Sequence, residues 1–314
     1  MKNFLSIVIS VVTVFCCAAE NINGLNGVFP EHIKCIAVLT PASAPNPKSI
    51  RKAIAMMEKA GLKVKVMPNT FVRNGNKGPT VEQRMADWNM AVNDPEVDMI
   101  IPTRGGKGAQ DLVGLIDWQK VKERNLYLMG FSNITYITSA MEFHKAGRPI
   151  AGPNVGRLAS ATQGAKKHLK AVLAKKDIPP FKLTALRKGD ASGRIYAGHL
   201  GMLQGNHASK FKVVPDNRVV FIECVNRDTA TYDKLFGKLL KKGYFDKVKA
   251  VVFCHFNGMK DPQNMDALLE KWTSQLKCPV YKGFSYGHKN DNYALDFSIT
   301  ANIKDDTLYF ECGK

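Results

Sequence analysis

Short apolar runs alternate with stretches of helical periodicity over residues 33–146, and this alternation constrains the fold more than any other feature. Residues 33–39, 63–67, 97–102 and 126–131 are apolar and rich in β-formers. Between them lie helical patterns, and their start signals are local. Asn46 followed by Pro47 supplies a cap and a first-turn proline, and Gly61 supplies the stop. Thr80 with Gln83 three residues on has the form of a capping box. Further helices are expected over 108–116, 134–146 and 156–175. Strand–helix alternation with short connections predicts a mostly parallel sheet covered by helices on both faces, a flavodoxin-like α/β unit over 30–174.

Residues 175–193 are rich in Lys, Pro and Gly and read as a linker. Beyond them strands are expected at 194–197, 219–225, 248–256, 280–286, 295–303 and 307–311, with helices near 229–240 and 264–276. This predicts a smaller, mixed α/β C-terminal unit over 194–314. In such pairs a site is expected at the interface, near the carboxyl ends of parallel strands.

The first nineteen residues differ from the rest. Lys2 precedes an apolar run from Phe4 to Phe15, and Ala18-Ala19 closes it, the layout of a secretory signal cleaved after Ala19. The expectation is a secreted or periplasmic protein with no stable membrane insertion after cleavage. Five of the seven cysteines lie beyond it: Cys35, Cys224, Cys254, Cys278 and Cys312. They read mainly as small buried residues, with one disulfide left open. The net charge of +18 suits an anionic partner or a solvated basic surface. The lysines are scattered and no aromatic–basic motif accompanies them, which argues against nucleic acid.

Two turns could carry chemistry. Thr103-Arg104-Gly105-Gly106-Lys107-Gly108 joins a strand to a helix. It is either a tight βα turn or a set of free N–H groups for an anion or oxyanion. In Gly130-Phe131-Ser132-Asn133, Ser132 stands where an N-cap belongs, and equally where a nucleophile elbow places its serine. The Asn133 N–H would then help hold an oxyanion. A serine needs a base, and His288 lies after the 280–286 strand; His199 and His255 are less easily dismissed than His32, His144, His168 and His207, which look like surface residues. Glu223 ends the apolar run from Val219 and is either a water-facing acid or the orienting partner of a histidine. Metal chemistry has little support: Cys254 and His255 would leave a strand on opposite faces, and no second ligand pair stands at zinc-like spacing.

Taken in order, these segments resemble the LD-carboxypeptidases, a serine peptidase family that includes the microcin C immunity peptidases. The resemblance runs from about Ile33 to about Phe297. It is carried by Thr40-Pro41-Ala42-Ser43-Ala44-Pro45, by Glu82-Gln83-Arg84-Met85-Ala86-Asp87, and by Asp94-Pro95-Glu96-Val97-Asp98. Its most specific markers are Thr103 to Ala109 leading to Leu115-Ile116-Asp117-Trp118, then Gly130 to Thr135. Gly152-Pro153, Phe221-Ile222-Glu223 and Gly287-His288 complete the series.

The resemblance implies a Ser–Glu–His triad at Ser132, Glu223 and His288, an oxyanion hole from the N–H groups of Gly106 and Asn133, and often a homodimer. It implies cleavage of an L,D-peptide bond, usually removing terminal D-alanine from a murein tetrapeptide, with no metal or other cofactor. Arg104 and Lys107 are the candidates for binding the substrate's terminal carboxylate. The sequence departs from the family pattern at Lys107, where an aromatic is frequent, and at Asn133, where aspartate is common. It departs also at Ala197-Gly198-His199, in place of Gly-Gly-Asn, and after His288, where the usual proline and glycine are missing. These departures bear on substrate choice. The alternatives are a same-fold amidase acting on a peptidyl-nucleotide or another modified peptide, and a wall-peptide-binding protein without catalysis.

Overall fold

A computed structural model describes residues 21–74 and 78–313. The expected signal, 1–19, lies outside them. The strands, in chain order, are β1 (Cys35–Leu39), β2 (Lys63–Val66), β3 (Met99–Pro102), β4 (Tyr127–Gly130), β5 (Arg148–Ala151), β6 (Phe181–Lys182) and β7 (Thr184–Arg187). They continue as β8 (Ala191–His199), β9 (Arg218–Val225), β10 (Ala250–Asn257), β11 (Val280–Lys282), β12 (Leu295–Asp296), β13 (Thr300–Lys304) and β14 (Thr307–Glu311).

The first sheet has the order β12-β5-β4-β3-β1-β2, parallel except for β12. Its five N-terminal strands follow the flavodoxin-like order 2-1-3-4-5. Both faces are covered. Successive side chains of a strand point to opposite sides, and on β1 Ile36 and Val38 enter one apolar core while Cys35, Ala37 and Leu39 enter another. The helix Pro47–Lys59 starts where Asn46 Oδ1 accepts the Lys48 N–H at 3.0 Å. Its buried stripe of Ile50, Ala53, Ile54 and Met57 packs into the first core. Burying a large aliphatic side chain of this kind contributes roughly 1.5–3 kcal/mol. The helix Val81–Asn93 carries the expected capping box at Thr80 and Gln83, and its Trp88, Ala91 and Val92 fill the opposite core.

The second sheet has the order β6-β14-β13-β8-β9-β10-β11-β7. Strands β8 to β11 run parallel, and the flanks are antiparallel. It is the wider sheet, because the 175–193 segment is not a linker. That segment forms β6, β7 and the start of β8, and β6 and β7 are the two edges. The expected strand 295–303 also divides. Leu295–Asp296 pairs with β5 of the first sheet, and Thr300–Lys304 joins the second. The chain turns between them because buried Asp296 accepts the Ser298 N–H at 2.7 Å and the Ile299 N–H at 3.1 Å.

Three expected elements are shorter than the sequence suggested. The 280–286 strand stops at Lys282, the 108–116 helix is Ala109–Leu112, and the 156–175 helix divides into Val155–Leu158 and Gln163–Ala174.

The two sheets share a contiguous apolar core, to which Ile36, Phe131, Tyr196, Val219 and Phe297 belong. Polar ties reinforce the junction. The helix Thr135–His144 is held to β8 and β9: Tyr196 Oη donates to Ser139 Oγ at 2.8 Å, the His199 N–H donates to Thr135 Oγ1 at 3.2 Å, and Arg218 pairs with Glu142. This helix follows Ser132, and β9 carries Glu223. The ties therefore fix the element that follows Ser132 against the strand that carries Glu223.

Candidate active site

Ser132 sits on a strand–turn–helix corner. After β4, Phe131 is extended, Ser132 takes a left-handed backbone with φ 63°, and Ser132–Ile134 forms a short 3₁₀ turn leading into the helix. A left-handed non-glycine residue costs about 1–3 kcal/mol and persists only where its surroundings enforce it. Three contacts do so. Gly130 must lack a side chain, because a Cβ there would lie 2.7 Å from Ile134 Cγ2 and 2.9 Å from Asn154 Oδ1. Asn154 Oδ1 accepts the Phe131 N–H at 3.3 Å. Asn133 Oδ1 accepts the Ala109 N–H at 2.9 Å and so ties the corner to the glycine turn. The capping alternative for Ser132 fails: no side-chain cap bond forms at either helical start. The hydroxyl is directed elsewhere.

Ser132 Oγ lies 3.1 Å from His288 Nε2, and His288 Nδ1 lies 2.8 Å from Glu223 Oε2. Glu223 is fully buried, which excludes the water-facing reading. Its position opposite His199 in the β8–β9 register puts it in the middle of the second sheet. The close approach of the His288 turn requires Gly287, whose φ is 130° and whose added Cβ would lie 3.1 Å from Glu223 Cβ. Asn292 Oδ1 accepts the Gly287 N–H at 3.1 Å, and the Phe131 ring packs edge-on against the imidazole at 4.8 Å. The charge of Glu223 thus selects the tautomer with the proton on Nδ1, leaving Nε2 to accept from the serine.

The other two histidines flank this chain. His199 is buried, its ring 6.0 Å from that of His288, and Nδ1 accepts the Gly201 N–H at 3.1 Å. Burial lowers its pKa. His255 packs against Gly287 beside Glu223, with Nε2 3.7 Å from Asp291, and burial lowers its pKa as well. His168 and His207, expected at the surface, are buried instead.

The glycine turn faces Ser132 across the cleft. A Cβ on Gly105 would lie 3.0 Å from Ser132 Oγ and 3.1 Å from the Asn133 nitrogen, so only glycine leaves that amide approachable. Gly106 has φ 109°, and Ser43 Oγ accepts the adjacent Lys107 N–H at 2.9 Å. Beneath the turn, the Thr40 and Thr103 hydroxyls hydrogen-bond at 2.8 Å and join the carboxyl ends of β1 and β3. The site thus lies at the β1/β3 reversal of strand order, where open α/β sheets bind ligands.

Ser132, His288, Gly105, Gly106 and Arg104 line one open cleft of about 240 Å³. Lys107 does not line it; it borders a neighbouring hollow with Arg84 and Asp111. Sequence reasoning missed three residues. Asn154 and Ser43 stand in or beside quoted markers, but their roles are tertiary. Arg157 lines the cleft from the short helix Val155–Leu158 after β5 and carried no local signal. All five described cysteines are free thiols. No group of three or more His, Cys, Asp or Glu among the described residues is placed to hold a metal ion.

A hydroxyl hydrogen-bonded to an imidazole that is oriented by a buried carboxylate can deliver a nucleophile to a carbonyl, with nearby amides for the developing oxyanion.

Comparison with known proteins places the chain in a family. The LD-carboxypeptidase N-terminal domain matches residues 36–148, and the LD-carboxypeptidase C-terminal domain matches residues 192–303. A probable murein peptide carboxypeptidase of Bacillus subtilis is 23% identical over 297 residues, covering 88% of this chain and 92% of that protein. The muramoyltetrapeptide carboxypeptidase of Oxalobacter formigenes superposes with a TM-score of 0.77 at 21% identity, covering 90% of this chain and 99% of the other. The structure of MccF in complex with glutamyl sulfamoyl guanosine superposes at 0.81 with 16% identity, covering 91% and 97%. At these identities the structural matches speak for the fold. The two domain matches together span most of the chain, and the protein belongs to the LD-carboxypeptidase family of peptide hydrolases.

Proposed function

We propose that the protein is a serine-type LD-carboxypeptidase that removes the terminal D-alanine of a murein tetrapeptide. The observation that carries this reading is the hydrogen-bonded series Ser132–His288–Glu223, its open end in the cleft beside the glycine turn. Ser132 Oγ attacks the scissile carbonyl carbon as His288 Nε2 takes its proton. Glu223 holds the Nδ1 proton and stabilises the imidazolium. The N–H groups of Gly106 and Asn133 receive the oxyanion. His288 then protonates the leaving amine, the C–N bond breaks, and D-alanine departs. Water, activated by the same imidazole, cleaves the acyl-enzyme and regenerates Ser132.

The test is mass spectrometry of murein tetrapeptide incubated with purified protein, beside a peptidyl-nucleotide as comparison substrate. The expected result is loss of D-alanine from the tetrapeptide and a fall of at least ~10⁴-fold in kcat for Ser132→Ala. Turnover that survives Ser132→Ala rejects the mechanism. Cleavage confined to the peptidyl-nucleotide rejects the substrate.

A further inference from the structure

We infer that Arg157 is the residue that captures the substrate's C-terminal carboxylate, and so confines the enzyme to bonds one residue from a free chain end. This rests on the cleft being the catalytic cleft. Among the described residues the cleft wall carries two guanidinium groups, Arg104 and Arg157, and no acidic side chain. An anionic group is therefore what the wall attracts. The leaving residue of a carboxypeptidase places its carboxylate about 4 Å, one Cα step, beyond the reacting centre. A cation on the wall of the same cleft is within reach of it.

Of the two, Arg157 is the better held. Arg104 is exposed, and its guanidinium meets only the Ala44 carbonyl oxygen, at 3.5 Å. Arg157 is half-buried, and Nη1 donates to Asn290 Oδ1 at 3.3 Å. That oxygen also accepts from Ser160 Oγ at 3.2 Å, and the Asn290 carbonyl oxygen accepts the Thr162 N–H at 3.1 Å. Asn290 is two residues from His288, so the loop that carries the base also orients the guanidinium.

The backbone of Arg157 is anchored on its other side. Its N–H donates to the Asn154 carbonyl oxygen at 2.8 Å, and Asn154 Oδ1 holds the Phe131 N–H beside the nucleophile. The Gly156 N–H donates to the Thr103 carbonyl oxygen at 3.1 Å, at the base of the glycine turn. Arg157 is thus referenced to the nucleophile, the oxyanion turn and the base at once. A guanidinium has five N–H donors, and only one is engaged on Asn290. The others remain for a bidentate carboxylate, at little further ordering. A lysine could supply the charge but not the planar fork.

The experiment separates capture from turnover. Calorimetry on the Ser132→Ala protein measures binding of a D-alanine-terminated tetrapeptide and of the same peptide as its C-terminal carboxamide. The acid is expected to bind roughly 10- to 100-fold more tightly than the amide. Adding Arg157→Ala should remove that preference, Arg157→Lys should restore part of it, and Arg104→Ala should leave it. A preference that survives Arg157→Ala, or equal binding of acid and amide before any arginine is changed, overturns the inference. Turnover by the wild-type protein reports separately on the catalytic reading. Discrimination without turnover removes the proposed reaction and leaves Arg157; turnover without discrimination removes Arg157 alone.

Discussion

At the scale of single residues, the site depends on a carboxylate with no access to water. Glu223 is fully buried, and of its two oxygens only Oε2 has a hydrogen-bond partner among the described residues. Its one hydrogen bond therefore goes to the Nδ1–H of His288. Replacing it with Gln keeps the shape and removes the charge that favours the imidazolium. Glu223→Gln is expected to lower kcat about 10⁴-fold with KM little changed, as read by steady-state kinetics on the tetrapeptide. A loss confined to KM would place the carboxylate's role in binding. Ser132, Glu223 and His288 were legible in the sequence because each stands in a short marker. Local spacing alone left Ser132 between cap and nucleophile. The left-handed φ of 63° and the bond to His288 remove the cap and favour the nucleophile proposed above. Arg157 was not legible, since an arginine after a turn is ordinary until the fold brings it to the cleft.

At the scale of elements, start signals read well wherever they act within four residues. Asn46-Pro47 and Thr80 with Gln83 open helices as expected. Thr80 Oγ1 accepts the Gln83 N–H, and Gln83 Oε1 accepts the Thr80 N–H at 2.9 Å. Thr80→Ala is expected to cost about 1 kcal/mol in urea unfolding, with the catalytic constants unmoved. An unchanged midpoint would show the box to be redundant. Edge strands were the failure. Around β6 and β7 the sequence offers Pro179-Pro180, lysines and Gly189, and these breakers masked the short alternation Phe181-Lys182-Leu183-Thr184-Ala185. These strands exist because β14 and β11 present unpaired backbone groups to them. An edge strand tolerates polar residues, and such residues also discourage further pairing. The 295–303 run misled in the opposite way: an unbroken apolar–polar alternation from Leu295 to Ile303 concealed a turn that passes the chain from one sheet to the other.

At the scale of the whole molecule, the hydrogen-bonded series Ser132–His288–Glu223 joins parts far apart in the chain. Ser132 and His288 are separated by 156 positions, and Glu223 and His288 by 65. The packing that brings them together also buries His168. Its ring lies among Phe181, Phe284, Tyr293 and Phe310, and its Nε2–H donates to the Ala294 carbonyl oxygen at 2.8 Å. Burial pushes its pKa down to about 4 from the ordinary 6.5. The folded state thus binds this proton less readily than the unfolded chain. The associated stability is full above pH 6.5 and falls as the pH drops toward 4, by about 3 kcal/mol. Urea midpoints between pH 7 and 4 should show this loss, and the difference curve against His168→Gln should isolate it. Parallel curves for the two proteins would remove His168 as the cause.

The sequence by itself determined the parallel architecture and the principal helix starts, while Ser132, Glu223 and His288 were implied by the family resemblance of its ordered markers. Periodicity and caps are local, and local physics suffices to write them. Only the tertiary structure decided the edge strands, the crossing of 295–304 between sheets, the burial of His168 and the place of Arg157. Each of those depends on what a distant segment presents: an unpaired strand edge, an aromatic wall, or a cleft whose sides come from different sheets. Short-range order carries no record of such neighbours until burial of the shared core fixes them.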